Sequence, residues 1–244
     1  MSRSPRAPDD RGCHRPTPGE AADPSTPDVG SARQGDRTAR TSDRAAGGAK
    51  PLTAARIRNI AEHYVGQRES SARMLRDVLE RRLLRRLRTL DPEAAAEERA
   101  IAQPLIDAEI ERLKDAGVIQ DARYAEMKAR TALSSGRGTR RILRDLARKG
   151  VEGDTAQEAL LGAAREVADA PDGADRAEVL QAAELEAAER FAQKRRIGPY
   201  RAEPLPDPWP ERSKIWRREA GAMARAGFGA DVIRRILDRE PEAE

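Results

Sequence analysis

The chain has 244 residues, of which 36% are charged, 38% hydrophobic and only 3% aromatic, and 46 basic against 42 acidic residues give a formal net charge of +4. Strand-forming residues are too sparse for a β-rich fold, whereas Ala, Leu, Arg and Glu favour helices. A single cysteine excludes an internal disulfide, and no apolar run is long enough for a signal peptide or a membrane span. We therefore predict an all-α, cytoplasmic protein.

The first 50 residues contain six prolines among Gly, Ser, Thr, Asp and Arg, and they hold almost no large apolar side chains. Such a segment buries too little apolar surface to offset the entropy that ordering costs, so we predict a disordered tail over residues 1–50. Two interpretations of this tail stay open, which are a weakly basic arm that touches nucleic acid and a solvated segment without a partner.

After the tail, apolar residues recur at helical spacing and predict nine helices. The first follows Thr53 as its N-cap, and the second follows Ser70 or Ser71. An acidic, Ala-rich stretch from Asp91 separates the second helix from the third. The third helix begins at Pro104, and the last seven helices cover about residues 104–116, 121–133, 140–149, 154–165, 175–196, 211–226 and 231–239. The proline-rich segment 200–210 is a predicted linker, pinned by Trp209.

One short pattern occurs three times, as LKDAGVIQD, LARKGVEGD and MARAGFGAD at residues 113–121, 146–154 and 223–231. Each copy predicts a helix that ends at a left-handed Gly, an apolar residue that packs back, and an Asp that N-caps the next helix. Reuse of one hinge indicates tandem three-helix units that form an elongated, curved helical-repeat array. The predicted units cover residues 51–118, 119–168 and 174–241.

Residues of one pattern are distributed along all three predicted units. They are Arg68, Ser71, Leu75, Leu79, Leu113, Gly117, Asp121, Tyr124, Ala125, Gly138, Ile142, Leu146, Lys149, Gly150, Val151, Gly227, Phe228, Asp231, Ile233 and Leu237. In this order they resemble the RecX family of RecA regulators over about residues 52 to 240. The first unit departs from the family, because Leu83 and Leu84 stand where a Lys/Arg-Gly hinge is more usual.

The resemblance implies a partner and an activity. RecX proteins are understood to lie along the groove of the RecA filament on single-stranded DNA. There they suppress ATP hydrolysis and strand exchange and promote filament loss. For this chain the resemblance therefore implies a negative modulator of RecA in DNA repair and SOS regulation, with weak, non-specific contact to single-stranded DNA. We expect a monomer without a membrane contact.

Predicted helix five offers the clearest contact surface. Its apolar residues Ile142, Leu143 and Leu146 cluster on one side. The other side carries the basic stripe, which consists of Arg137, Arg140, Arg141, Arg144 and Arg148. Such closely spaced arginines repel one another, and guanidinium groups suit phosphate oxygens or partner carboxylates. The alternative interpretation is a solvated face in an Arg-rich protein.

Further cations complete the candidate surface for RecA or DNA. Trp216 is expected in the core of predicted helix eight, and the outward cations of helices eight and nine are candidates for contact. Together with Lys149, the candidates outside the basic stripe are Lys214, Arg217, Arg218, Arg225, Arg234 and Arg235. Helix two adds Arg73, Arg76, Arg81 and Arg85.

Catalytic and metal-binding patterns are missing from the sequence. His63 is the only histidine of the predicted folded part, so neither a nucleophile–base pair nor a His/Cys zinc site can be assembled, and we predict no enzymatic activity and no cofactor. Two other functions stay open. One is a sequence-reading DNA-binding regulator with helix-turn-helix-like units, and the other is an α-solenoid scaffold without a nucleic-acid partner.

Overall fold

The computed structural model of the protein describes residues 50–171 and 173–239, and all regular structure within them is helical. The all-α prediction is therefore confirmed for these residues, while the predicted tail over residues 1–49 lies outside them. The nine α-helices of this part are α1 (Ala54–Val65), α2 (Ala72–Leu87), α3 (Pro92–Asp115), α4 (Asp121–Ser134), α5 (Thr139–Arg148), α6 (Gly153–Val167), α7 (Arg176–Arg195), α8 (Trp209–Ala226) and α9 (Ala230–Leu237). A short 3-10 turn, Gly198–Tyr200, lies between α7 and α8.

Side chains cap four helix starts, and two of these caps, Thr53 and Ser71, are the ones predicted from the sequence. The side-chain oxygens of Thr53, Ser71, Asp91 and Asp175 accept backbone N–H groups of the first turns of α1, α2, α3 and α7. Such bonds satisfy donors that have no partner inside the helix. The choice between Ser70 and Ser71 thus falls on Ser71, whose Oγ lies 3.2 Å from the backbone nitrogen of Met74.

The three hinge aspartates are not N-caps, so that prediction is wrong. The N-cap residues of α4, α6 and α9 are Gln120, Glu152 and Gly229, and none of them makes a side-chain cap bond. Asp121, Asp154 and Asp231 lie one or two residues later, inside the first helical turn. There a carboxylate still interacts favourably with the positive end of the helix dipole.

Helix α3 is longer than predicted, and Pro104 lies inside it rather than at its start. Asp91 and Pro92 form a complete start signal of their own, with a capping carboxylate followed by a proline in the first turn. Packing continues through the proline because Ala102 and Ile106 are both fully buried in one core. The Ala-rich stretch is therefore helix, and an ion pair of 2.9 Å between Arg86 and Glu98 attaches it to α2.

The left-handed hinge glycines are confirmed in all three copies of the repeated pattern. Gly117, Gly150 and Gly227 have φ angles of +66°, +78° and +99°. In each copy the residue after the glycine donates its N–H to the carbonyl five residues earlier, over 2.9 to 3.2 Å. A helix end with this hydrogen bond and a left-handed glycine is a Schellman motif. The packing prediction fails in the first copy, because Val118 is 43% exposed and Ile119 is buried in its place.

Buried apolar residues form two cores in the described residues. One core joins α1, α2 and α3 around Ile57, Leu75 and Ile106. The other runs from α4 to α9 and contains Tyr124 and Phe228, the largest buried side chains. The boundaries 51–118, 119–168 and 174–241 stay a prediction. Trp209 does not pin the linker, since it begins α8 and is 72% exposed.

Candidate functional site

Helix α5 separates its apolar and basic residues as the sequence indicates. Ile142 and Leu146 are each 2% exposed and pack in the core of α4 to α9, and Leu143 packs against that core while half-buried. All five arginines of the basic stripe and the adjacent Lys149 are exposed. The helix is therefore fixed by one apolar side and presents four arginines on the rest of its surface, with Arg137 just before it and Lys149 just after it.

One carboxylate inside the basic stripe was not part of the prediction. The half-buried Asp145 accepts Nη2 of Arg148 at 2.5 Å, and it lies 3.4 Å from Nη1 of Arg137 and 3.7 Å from Nε of Arg141. Spacings of three and four residues put Arg148 and Arg141 next to it, so helical periodicity was the available signal. Arg140 and Arg144 form no ion pair with other described residues, which leaves them available to a partner.

The N-terminal end of α5 is locked onto the hinge between α8 and α9. The backbone N–H of Gly138 donates to the carbonyl of Ala226 over 3.0 Å, and Nη1 of Arg141 donates to the carbonyl of Arg225 over 3.2 Å. A Cβ atom on Gly138 would lie only 2.2 Å from the carbonyl carbon of Gly227. This contact brings the basic stripe beside the cations of α8, although the two are about 80 residues apart in the sequence.

A cleft of about 710 Å³, called the cationic cleft below, lies where the α4–α5 turn, the C-terminal end of α7 and helix α8 meet. Four of its cations were candidates from the sequence, namely Arg137, Arg141, Arg218 and Arg225. Three others, Lys194, Arg195 and Arg196, were not among the candidates. They form a basic run in the sequence, which by itself predicts only the end of a helix.

Other predicted cations lie outside the cationic cleft. Arg234 is exposed and pairs with Asp231 at 2.5 Å on the same helix. Six other candidates from predicted helices five, eight and nine are exposed, lie outside the cleft and form no ion pair with a described residue. They are Arg140, Arg144, Lys149, Lys214, Arg217 and Arg235. The structure thus distributes the predicted surface over the cleft and its surroundings.

Glu219 lies on the inner side of α8 and, among the described residues, is the one carboxylate that lines the cationic cleft. It is 4% exposed, and it accepts Nη2 of Arg201 at 2.6 Å and the backbone N–H of Gly198 at 3.1 Å. Burial of a carboxylate is tolerated when its oxygens are paired in this way. Glu219 therefore fastens the segment after α7 to α8, and its charge is already compensated by Arg201.

Groups with displaced pKa values lie outside the cleft. Hydrogen bonding to Arg112, together with the charges of Arg112 and Arg58, outweighs burial and lowers the pKa of Glu109, while burial raises the pKa of the Tyr124 hydroxyl. Within residues 50–171 and 173–239, no three His, Cys, Asp or Glu side chains come close enough to hold a metal ion. None of the helices in these ranges has the length and apolarity to cross a membrane.

Comparison with known proteins identifies the family. A family model described as RecX, second three-helix domain, matches residues 121–160, which include the whole basic stripe. Over 185 residues the chain is 31% identical to the regulatory protein RecX of Myxococcus xanthus (strain DK1622), covering 76% of this chain and 86% of that protein. The chain belongs to the RecX family.

Two further RecX proteins are similar to this chain. The regulatory protein RecX of Mycobacterium sp. (strain KMS) is 30% identical over 148 residues, which cover 60% of this chain and 70% of that protein. The crystal structure of RecX from Lactobacillus salivarius aligns with 76% of this chain and 94% of its own chain, at 21% identity and a TM-score of 0.47. The identity to the RecX proteins of Myxococcus xanthus and Mycobacterium sp. confirms the resemblance noted in the sequence as membership of a family of regulatory proteins.

Proposed function

We propose that this RecX-family chain is a negative modulator of RecA that binds the RecA filament on single-stranded DNA. In this role it inhibits the ATPase, strand-exchange and co-protease activities of RecA in DNA repair and SOS regulation. It acts in the cytoplasm, as a monomeric binding protein without catalytic activity of its own. Membership of a family of regulatory proteins supports the regulatory part of this proposal.

The observation that carries the proposal is that the basic stripe is exposed and only partly neutralised by carboxylates. Its arginines are exposed, and Arg140 and Arg144 have no carboxylate partner among the described residues. Guanidinium groups bind phosphates and carboxylates through paired hydrogen bonds, so a surface of this kind suits a filament made of protein and DNA. The stripe also lies within residues 121–160, which match the model of the second three-helix domain of RecX.

Repeated three-helix units would favour binding to a filament. Three-helix units over residues 51–118, 119–168 and 174–241 would offer several contact surfaces to successive protomers of one filament. Linked weak contacts raise the overall affinity because each later contact forms at a high effective concentration. A modest affinity of each surface is therefore sufficient for filament binding.

A titration of RecA ATPase on single-stranded DNA at two salt concentrations tests the proposal. We expect added protein to inhibit hydrolysis, and the inhibition to weaken at high salt because phosphate contacts release counterions. An ATPase rate that does not change at any ratio of the two proteins would contradict the proposed function. Inhibition that does not depend on salt would instead favour the scaffold without a nucleic-acid partner.

The sequence-reading regulator is less well supported by α5. Base recognition in the major groove relies on Asn, Gln and Arg together, and Thr139–Arg148 contains neither Asn nor Gln. Its arginines suit backbone contact, which carries no sequence information. Competition with unrelated duplexes tests this directly, because a sequence-reading regulator prefers its operator by about 10³-fold or more.

A further inference from the structure

The cationic cleft contains more positive charge than its fold requires. Seven cations of the described part of the chain line it, and they come from the α4–α5 turn, from α5, from the end of α7 and from α8. Arg137 and Arg141 share Asp145 at 3.4 and 3.7 Å. The other five, which form no ion pair with any described residue, are Lys194, Arg195, Arg196, Arg218 and Arg225.

Local helix electrostatics explains only part of this set. Cations in the last turn of a helix are favoured by the negative end of its dipole, which accounts for Lys194 and Arg195 at the end of α7. The dipole of α8 accounts in the same way for Arg225 in its own last turn, but neither dipole accounts for Arg218 or for the two helix ends lining one cleft. Like charges in one concave site repel each other, and such a site concentrates anions from solution. A bound anionic ligand would offset this repulsion between the cations of the cleft.

The aromatic residue of the cleft favours nucleic acid over an acidic peptide. Phe191 is half-buried and lines the cleft, and the guanidinium carbon of Arg195 lies 5.8 Å from the centre of its ring. A cationic groove combined with an aromatic side chain and a stacked Arg is the usual construction of sites for single strands. Both an acidic peptide and a nucleic acid have anionic groups, but only a nucleic acid also has bases that stack on such groups.

We infer that the cationic cleft is a direct binding site for the phosphate backbone of single-stranded nucleic acid. Lys194, Arg195 and Arg196 belong to this site together with Arg137, Arg141, Arg218 and Arg225. This inference deepens the proposed function, because it divides the contacts: the cleft holds the DNA strand, and the unpaired arginines of the basic stripe remain for RecA. DNA binding through the cleft needs no RecA, so the two proposals can fail separately.

The test is fluorescence anisotropy with a labelled dT oligonucleotide, in the absence of RecA and over a series of salt concentrations. The cleft variant is Lys194→Gln, Arg218→Gln and Arg225→Gln in the full chain, which removes three exposed cations. The control is Arg99→Gln, Arg165→Gln and Arg212→Gln, which removes three exposed arginines that do not line the cleft. Helical circular dichroism of both variants checks the fold.

We expect weaker binding by the cleft variant and a plot of log Kobs against log salt that is shallower by about 2, because each single-strand phosphate contact contributes about 0.7. The control variant should keep the slope of the unmodified protein. If the triple variant loses helical signal, the single substitutions replace it, and each should reduce the slope by about 0.7.

Three outcomes would overturn the inference. An equal loss in the cleft and control variants would mean that net charge, not the cleft, binds DNA. An unchanged slope in the cleft variant would remove these residues from DNA binding. Competition by poly-glutamate as strong as that by unlabelled dT oligonucleotide, and equally dependent on Lys194, would assign the cleft to an acidic peptide. A RecA ATPase that is still inhibited in any of these cases would leave the proposed function intact.

Discussion

Two helix starts of this molecule are each hydrogen-bonded to a hinge between two other helices, and we call these contacts the first and the second junction. The bond goes to the same position of the hinge in both, but the donor groups differ. At the first junction, the hydroxyl of Ser71 before α2 donates to the carbonyl of Lys149 over 2.6 Å. At the second, the backbone N–H of Gly138 before α5 donates to the carbonyl of Ala226 over 3.0 Å. In both, the acceptor is the residue just before a left-handed hinge glycine, and the donor is the N-cap residue of a helix.

The two junctions differ in the atoms that the hinge glycine contacts. Gly150 faces the side chain of Arg73, whereas Gly227 faces the backbone of Arg141 and of Gly138. A junction made with side chains leaves room for adjustment, while a junction of backbone on backbone does not. The second junction is also the one that aligns α5 with α8 beside the cationic cleft. We therefore expect the function to depend most on the junction that tolerates substitution least.

The largest effect is expected for Gly138→Ala, which should lower the free energy of unfolding by about 3 kcal/mol, because the new Cβ would overlap the backbone of Gly227. Urea unfolding measures this loss. Gly162→Ala is the matched control, since Gly162 lies inside α6 and an added Cβ would have no atom of another described element within 4 Å. It should raise stability by up to about 1 kcal/mol. Similar values for both variants would show that the second junction is not tightly packed.

At the first junction, Gly150→Ala should cost about 2 kcal/mol, from the left-handed backbone at φ +78° and from a Cβ placed 2.5 Å from Cβ of Arg73. Gly117→Ala has a similar φ of +66°, but its Cβ would meet only the flexible end of Gln120. It should therefore cost about 1 kcal/mol. The difference between the two thermal or urea midpoints isolates the junction contact, and equal losses would mean that this contact contributes nothing.

Ser71→Ala should cost about 1.5 kcal/mol, because it removes both the N-cap of α2 and the bond to Lys149. Thr53→Ala removes an N-cap that has no bond across a junction, so it should cost about 0.5 to 1 kcal/mol. Both are measured by urea unfolding. A Thr53 variant that loses as much stability as the Ser71 variant would argue against a separate contribution of the junction.

Asp121→Asn should have the smallest effect, about 0.5 kcal/mol, because Asn keeps an acceptor for the N–H of Ala72, 2.9 Å away, but loses the charge near two helix N-termini. Asp154→Asn affects one helix start only and should cost less. The gap between the variants should close in high salt, since screening removes the dipole contribution. A gap that stays constant with salt would contradict this electrostatic explanation.

Local signals explain what the sequence could predict. Thr53, Ser71 and Asp175 act on donors within their own first turns, and the hinge glycines act within one helix end, so residue type and spacing were sufficient there. The start of α3 was misplaced because buried packing of Ala102 and Ile106 holds the helix through Pro104. The stabilisation from buried packing thus outweighs the helix-breaking tendency of this proline.

Contacts between residues that are far apart in the sequence could not be predicted from it. The pairing of Glu219 with Arg201, the contact of Gly138 with Gly227 and the meeting of α5, α7 and α8 at the cationic cleft all depend on tertiary structure. Lys194, Arg195 and Arg196 were visible as a basic run, but only the fold shows that they face Arg218 and Arg225. Periodicity could have paired Asp145 with the arginines three and four residues away.

The most direct measurement of the central claim is RecA ATPase inhibition by the variant Arg140→Glu, Arg144→Glu. These are the two arginines of the basic stripe without a carboxylate partner among the described residues, so reversal of their charge leaves the Asp145 pairs in place. The control Arg99→Glu, Arg165→Glu makes the same change in net charge on α3 and α6. We predict that the stripe variant loses inhibition with unchanged helical circular dichroism while the control inhibits fully. Full inhibition by the stripe variant would contradict the account.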